Sequence, residues 1–174
     1  MKKIIFVATL FFTVVFSYSQ SDEITKHNGE IVNGKVIKVE EYAIVFKYDG
    51  EDAENTLSKY AIEKIVYGKS HRVESITDKI IVKGEEDWEK VVVLEDIAFI
   101  AGLKKAEEVR GKTGLINYHT GNTADKKAEM KLKKAAAILG CPFILMTADK
   151  TTVGASSNQL GGSQAIKKGI GYKY

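Results

Sequence analysis

The only thiol in the chain is Cys141, and the groups that could activate it are His27, His71 and His119. A nucleophilic or redox cysteine needs a lowered pKa and a base beside it. Cys141 lies between Gly140 and a proline, and nothing in the spacing of the histidines brings one close. Free cysteine is among the most buried residue types. We therefore predict that Cys141 packs where a helix meets a strand.

The remaining chemical groups predict neither a metal site nor a cofactor. Successive histidines are 44 and 48 residues apart, and there is no CxxC or HExxH pattern. A GxSxG elbow and a phosphate-binding glycine loop are missing as well. The sequence therefore favours a non-enzymatic protein. The alternative is a hydrolase or redox enzyme whose site assembles only in space, with Cys141 and His119 as its pair.

The first twenty residues have the three-part layout of a secretory signal peptide. Lys2 and Lys3 form a positive start, residues 4–16 carry no charge, and Ser17 and Ser19 are small residues at a polar break. A spanning helix needs about 20 apolar residues, so this run is too short to cross a bilayer. We predict cleavage after residue 19, no transmembrane span, and a place in the periplasm, the wider cell envelope or the extracellular space.

Export would leave a nearly neutral mature chain. Removal of 19 from 174 residues leaves 155, and loss of Lys2 and Lys3 lowers the formal charge from +3 to +1. A nucleic-acid binder normally carries a basic stripe, so this balance argues against that class of partner. A single cysteine cannot form an internal disulfide, so packing alone must hold the fold.

Residues 20–82 are predicted to form a small β domain with a barrel-like curl. Residues 42–48 alternate apolar and polar side chains, as a strand with one buried face does. Further strand candidates are residues 36–39, 63–68 and 72–76. Turn signals between the apolar runs are Asn28-Gly29, Asn33-Gly34 and Asp49-Gly50. Several short strands with tight turns favour a curled sheet or barrel.

Residues 83–90 are predicted to be a polar linker, and residues 91–174 an α/β domain with one main alanine-rich helix on a sheet. Asn122 is the predicted helix cap, and Gly140 ends the helix. The predicted apolar face comprises Ala128, Leu132, Ala135, Ala136 and Leu139. Strand candidates are residues 91–94, 104–109, 143–146 and 169–174. The predicted fold class for the whole chain is α+β.

A polar loop is predicted over residues 151–164. Loops longer than about 12 to 15 residues are usually functional or disordered. Asn158, Gln159 and Gln164 offer hydrogen-bonding groups there, and Leu160 offers an apolar contact. We predict these four as the residues that bind a partner, an envelope protein or a surface component. A loop without a role is the alternative.

The C-terminal half resembles YbjQ-type domains and the family of the Rcs stress-sensor lipoprotein. The likeness rests on the alanine helix, the glycine and the apolar strand of residues 127–149, and on the strand candidate of residues 102–114. It covers residues 91–174. The resemblance implies an α/β fold and the possibility of ring assembly through sheet edges. It does not imply the sensor role, because the disulfides and lipid anchor of that family have no counterpart here.

The N-terminal half is similar to exported proteins of Gram-negative bacteria. The matching segments are an NGE opening with a GKV element, in residues 28–39, and AIEKIVYG in residues 61–68. The strand-turn layout also resembles a small Sm-like barrel, which binds RNA in Sm proteins. Taken together, we predict an exported, non-enzymatic envelope protein that binds or assembles with other molecules. A ring-forming homo-oligomer is the third hypothesis.

Overall fold

The computed structural model describes residues 21–114, 121–152 and 164–174. Within these ranges it contains ten strands in two sheets and one long helix, so the chain belongs to the α+β class. The predicted signal peptide and its cleavage point lie outside the described residues, and so do His119, Asn158, Gln159 and Leu160. No helix in the described part is long and apolar enough to cross a membrane.

The N-terminal sheet has six antiparallel strands in the order β4-β3-β2-β1-β5-β6. Their bounds are β1 Asp22–Lys26, β2 Ile31–Val39, β3 Ala43–Tyr48, β4 Asn55–Ser58, β5 Ile62–Val66 and β6 Val73–Ser75. Sequence patterns missed β1 and β4. The pairing leaves β4 and β6 as edges, so hydrogen bonds do not close this sheet. One face buries its core residues, namely Ile24, Val32, Ile44, Phe46, Leu57, Ile62 and Ile65.

Two of the three predicted turns are confirmed. Gly29 and Gly50 have φ of +88° and +80°, the left-handed conformation that glycine adopts without strain. The prediction of a turn at Asn33-Gly34 is wrong, because both residues lie inside β2. A Cβ on Gly34 would lie 2.2 Å from the carbonyl oxygen of Lys47. Gly34 is therefore required for the close approach of β3 and not for a turn.

The C-terminal sheet has four strands in the order β7-β9-β10-β8. Their bounds are β7 Val92–Leu94, β8 Lys104–Lys112, β9 Phe143–Thr152 and β10 Gln164–Lys173. β7 runs parallel to β9, and the other pairs are antiparallel. The strand predicted over 104–109 is confirmed and continues to Lys112. The predicted loop is shorter than expected, since Thr151 and Thr152 belong to β9 and Gln164 to β10.

The helix α1, Gly121–Ile138, covers one face of this sheet. Its fully buried side chains are Ala124, Ala128, Leu132, Ala136 and Ala137. Small residues let it approach closely: a Cβ on Gly111 of β8 would lie 1.9 Å from the Ala128 carbonyl oxygen. Because α1 begins at Gly121, Asn122 lies within its first turn and the prediction of a cap there is wrong. Gly140 has φ +65°, which confirms it as the residue that ends the helix.

The predicted linker is structured. Glu85–Lys90 forms a 3-10 helix, and Trp88 packs on the core beneath α1. Lys134 on α1 pairs with Glu85 at 2.8 Å. Within α1, Glu129 pairs with Lys133 one turn later, at 3.5 Å. The pair of Lys134 and Glu85 therefore helps to hold this segment against α1.

The second face of the C-terminal sheet packs on the N-terminal half of the chain. Phe143 on β9 contacts the rings of Tyr60 and Tyr174, with centroid distances of 5.3 and 5.4 Å. Tyr174 in turn lies 4.9 Å from the ring of His27. Its hydroxyl oxygen accepts a hydrogen bond from the amide of Ile80 at 2.9 Å. The last residue of the chain therefore joins the two sheets.

Candidate functional site

Cys141 is fully buried, as predicted. It belongs to the core between α1 and the sheet, and its thiol faces Gly171 of β10, where a Cβ would lie 2.9 Å from Sγ. Burial raises the pKa of the Cys141 thiol. A thiol with a raised pKa forms little of the reactive thiolate at neutral pH. The packing role is therefore confirmed, while His119, the predicted partner in the enzymatic alternative, lies outside the described residues.

His27 is the buried histidine of the described chain, and it is held by a specific hydrogen bond. Its Nε2 lies 3.0 Å from Oγ1 of Thr77. That hydroxyl directs its single proton to the carbonyl of Ile62 or of Lys59, at 2.8 and 3.0 Å. His27 Nε2–H is therefore the donor to Thr77. Burial lowers the pKa of His27, although Glu63 opposes the shift, so the ring is neutral at physiological pH.

No motif in the sequence points to Lys167, whose ammonium group is buried beside two carboxylates. Its side chain is only 6% exposed, and Nζ lies 2.6 Å from Oδ2 of Asp149 and 3.0 Å from Oδ1 of Asp125. Asp149 lies on the neighbouring strand β9, directly across from Lys167, and Asp125 lies in the early part of α1. The ammonium group of Lys167 on β10 is thus held by residues of β9 and α1. Because these elements are separated along the chain, no local sequence pattern reveals the cluster.

A β-bulge places Asp149 on the helix-covered face. β9 pairs with β10 through Met146 and Gly169, and then through Ala148 and Lys168, so Thr147 is the extra residue. Successive side chains of a strand alternate between faces, and one extra residue reverses the alternation. Without the bulge, Asp149 would point to the opposite face. The sequence of β10 does carry a usable signal. Every second residue there is small, namely Ala165, Gly169 and Gly171, except for Lys167, which shares their face.

The two aspartates keep Lys167 protonated. Burial by itself lowers the pKa of Lys167, but hydrogen bonds to Asp149 and Asp125 outweigh it, and the pKa lies above its ordinary value. A lysine acts as a nucleophile or general base only when it is deprotonated. Lys167 is therefore a fixed positive charge that orients two carboxylates, and not a reactive amine.

An open pocket of about 420 Å³ lies next to this cluster, where β7 stops and β9 continues. We call it the β9 notch. Its lining residues are Val93, Glu95, Glu129, Met146, Thr147, Ala148, Asp149 and Lys167. β7 stops because Asp96 caps a 3-10 helix, Ile97–Ile100, with its side chain accepting from the amide of Ala98 at 2.8 Å. That helix takes the chain towards β4 and away from β9.

Beside the notch, part of one edge of β9 has no partner strand among the described residues. β9 has ten residues, and three of them, Phe143, Ile144 and Leu145, pair with β7. The last bridge, between Leu94 and Leu145, places the Met146 amide on the Leu94 carbonyl, and residues 147–152 pair with no described strand on the β7 side. A free strand edge offers a row of N–H and C=O groups that another extended chain can pair with.

The side chains around this edge carry net negative charge. Glu95, Glu129 and Asp149 are acidic, and Lys167 is the one basic group in the lining, which gives −3 + 1 = −2. Glu95 is exposed and forms no ion pair with any described residue. Glu129 pairs with Lys133 but remains accessible on α1. The notch therefore combines an unpaired backbone edge with carboxylates that have room for further partners.

Of the four predicted binding residues, the structure describes Gln164. Its amide nitrogen donates to the carbonyl oxygen of Thr113 at 3.1 Å, so this side chain helps to join β10 to the end of β8. Among the described residues, no group of three or more His, Cys, Asp or Glu side chains is arranged to hold a metal ion. Lys167, Glu95 and the open edge were not predicted from the sequence.

Comparisons with known proteins add no functional assignment. No protein-family model, no curated protein and no solved structure matches this chain.

Proposed function

We propose that this chain is an exported, non-enzymatic protein of the cell envelope that binds another protein at the β9 notch. The observation that carries the proposal is the free edge of β9 beside exposed carboxylates. Functional surfaces are often polar groups at strand ends that a rigid scaffold holds in place. Here the buried ammonium of Lys167, paired with Asp149, supplies the rigidity, and Glu95 and Glu129 supply accessible charge.

The state of the reactive groups supports a binding role. The thiol of Cys141 is buried with a raised pKa, and the imidazole of His27 donates to Thr77 inside the junction of the sheets. Lys167 is clamped in its charged form. General acid–base and nucleophilic catalysis need such groups at an accessible surface with a matched pKa. Each of these three is instead used to hold the fold.

Several expectations from the sequence belong to the same proposal. They are export through removal of residues 1–19, a barrel-like curl of the N-terminal sheet, and kinship of residues 91–174 with YbjQ-type domains. The short strands and tight glycine turns of the N-terminal sheet support the curl. Within the described residues, an alanine-rich helix packs on a four-stranded sheet, as this kinship implies.

Site-specific crosslinking tests the binding role. A photoreactive benzoylphenylalanine replaces Thr147 in the notch, and in a matched control it replaces Thr56, an exposed threonine on β4 of the other sheet. In intact envelopes we expect a discrete adduct from position 147 and none from position 56. Charge reversal by Glu95→Lys with Glu129→Lys should remove the adduct. Identical adducts from both positions, or none from position 147, would contradict the proposal.

Self-assembly is the second candidate function, and the outer edge of β8 favours it. β8 pairs only with β10 within the described residues, so its other edge is also free. If two copies of β8 paired antiparallel about Ala106, Lys104 would face Glu108 and Lys105 would face Glu107. Opposite charges directly across a strand pair are stabilising. Native mass measurement of the mature chain distinguishes a monomer from an assembly.

A further inference from the structure

We infer that the β9 notch binds an extended, lysine- or arginine-bearing segment of a partner protein, which adds to the sheet as a strand on the line of β7. This inference rests on the proposed binding function and specifies the chemistry of the partner. It follows from two independent features, the unpaired backbone of β9 and the sign of the charges beside it.

The unpaired edge of β9 is long enough to accept another strand. Six residues of β9, 147–152, extend beyond the last bond to β7. At about 3.3 Å per residue this edge is roughly 20 Å long, enough to pair with a segment of four to six residues. The opposite edge of the same residues is already fixed to β10. An added strand therefore meets a backbone that is ordered before binding, so less conformational entropy is lost.

The charges beside the edge determine which residues an added strand would carry. Val93 packs on the core beneath α1, and Glu95, two residues later in extended chain, projects towards the same side. Glu129 lies on α1 itself, and Asp149 reaches that side through the bulge at Thr147. Alternate side chains of an added strand would point into this acidic space. Cations fit there, and acidic side chains would be repelled.

Binding of a basic strand leaves the Lys167 cluster intact. Asp149 keeps its 2.6 Å bond to Lys167 and has a half-exposed side chain, with 48% of its surface accessible. A carboxylate can accept from two donors at once. Lys167 also blocks the notch against deeper entry of a second cation. The structure thus favours shallow contacts along the edge and not a buried cation site.

The test uses a labelled peptide, acetyl-TKVKVKT-amide, with the intact mature protein. Two matched peptides separate the features: TEVEVET reverses the charges, and a TKVKVKT analogue N-methylated at its five central amides removes the backbone donors. We expect saturable binding of TKVKVKT in fluorescence anisotropy, and binding at least tenfold weaker for both analogues. Amide hydrogen exchange in residues 147–150 should slow only with TKVKVKT.

Protein variants assign the peptide to the notch. Glu95→Gln with Glu129→Gln should weaken TKVKVKT binding by about tenfold, since each exposed charge pair contributes modestly. Glu51→Gln, an exposed carboxylate on the turn after β3, is the matched control and should leave affinity unchanged. Exposed carboxylates seldom support a fold, so all variants should melt together with the wild type.

The outcomes separate this inference from the proposed function. Equal binding of the N-methylated peptide overturns strand addition, because charge alone would then explain the affinity. Equal effects of the notch and control variants overturn the location. Absence of saturable binding up to about 1 mM peptide, the weak end of specific affinity, overturns the inference as a whole. A Thr147 adduct in the crosslinking experiment would still stand in that case, and with it the binding function.

Discussion

Lys167→Met is the most direct perturbation of the candidate site, because methionine keeps most of the buried stem and removes only the charge. The variant loses hydrogen bonds to Asp149 and Asp125 at 2.6 and 3.0 Å. Hydrogen bonds to charged groups contribute roughly 1.5–3 kcal/mol each. The carboxylates are 48% and 37% exposed and regain water, so the lower part of that range applies. We expect a total loss of about 2–3 kcal/mol of unfolding free energy.

Repulsion between the two aspartates is part of that cost. Both accept from the same Nζ, so their oxygens lie less than about 6 Å apart and would face each other without a cation. Asp149→Asn in the Lys167→Met background removes this repulsion. The double variant should therefore be less destabilised than the sum of the single variants, by about 1 kcal/mol.

Urea denaturation followed by circular dichroism measures these differences, and Lys168→Met is the matched control. Lys168 is the next residue of β10 and is exposed on the opposite face, so its loss should change stability by less than about 0.5 kcal/mol. In melting temperature, Lys167→Met should fall by about 5–10 °C. Equal stability of the Lys167 and Lys168 variants would refute the view that this cluster fixes the edge of the notch.

Four further outcomes follow from the sequence and fold. Gly111→Ala places a Cβ 1.9 Å from a helix carbonyl oxygen and should cost about 3 kcal/mol, whereas Gly84→Ala, in open space, should change urea midpoints little. Burial lowers the pKa of His27 below the ordinary 6.5. The stability that neutral His27 contributes is therefore fully present above pH 6.5 and is lost as the pH falls below 6.5. In thermal melts, His27→Gln should make the melting temperature depend less on pH in this range. Cys141→Ala should cost about 1 kcal/mol, and a thiol reagent should react far faster with the unfolded chain than with the native one. Intact mass of envelope protein should show loss of residues 1–19; a full-length cytoplasmic product would contradict export.

Features decided by neighbours in sequence were predictable. The helix on its alanine face and its end at Gly140 follow from a repeat of three to four residues and from the conformational freedom of glycine. The burial of Cys141 follows from its position between that helix end and an apolar strand. The β hairpins at Asn28-Gly29 and Asp49-Gly50 follow from turn chemistry. Each is set by interactions within one or two turns of chain.

Features decided by long-range pairing were visible only in the tertiary structure. Gly34 looks like a turn residue, yet it lies within a strand. Glycine is needed there because a Cβ would clash with the carbonyl oxygen of Lys47 on the neighbouring strand. Asp149 reaches Lys167 because one bulged residue reverses the faces of β9, a shift that depends on the register with β10. Among the described residues, β9 extends beyond its partner because β7 is only three residues long, and β7 ends where Asp96 caps a 3-10 helix. Sequence determines side-chain chemistry and local conformation, whereas register and strand length depend on partners that are distant along the chain.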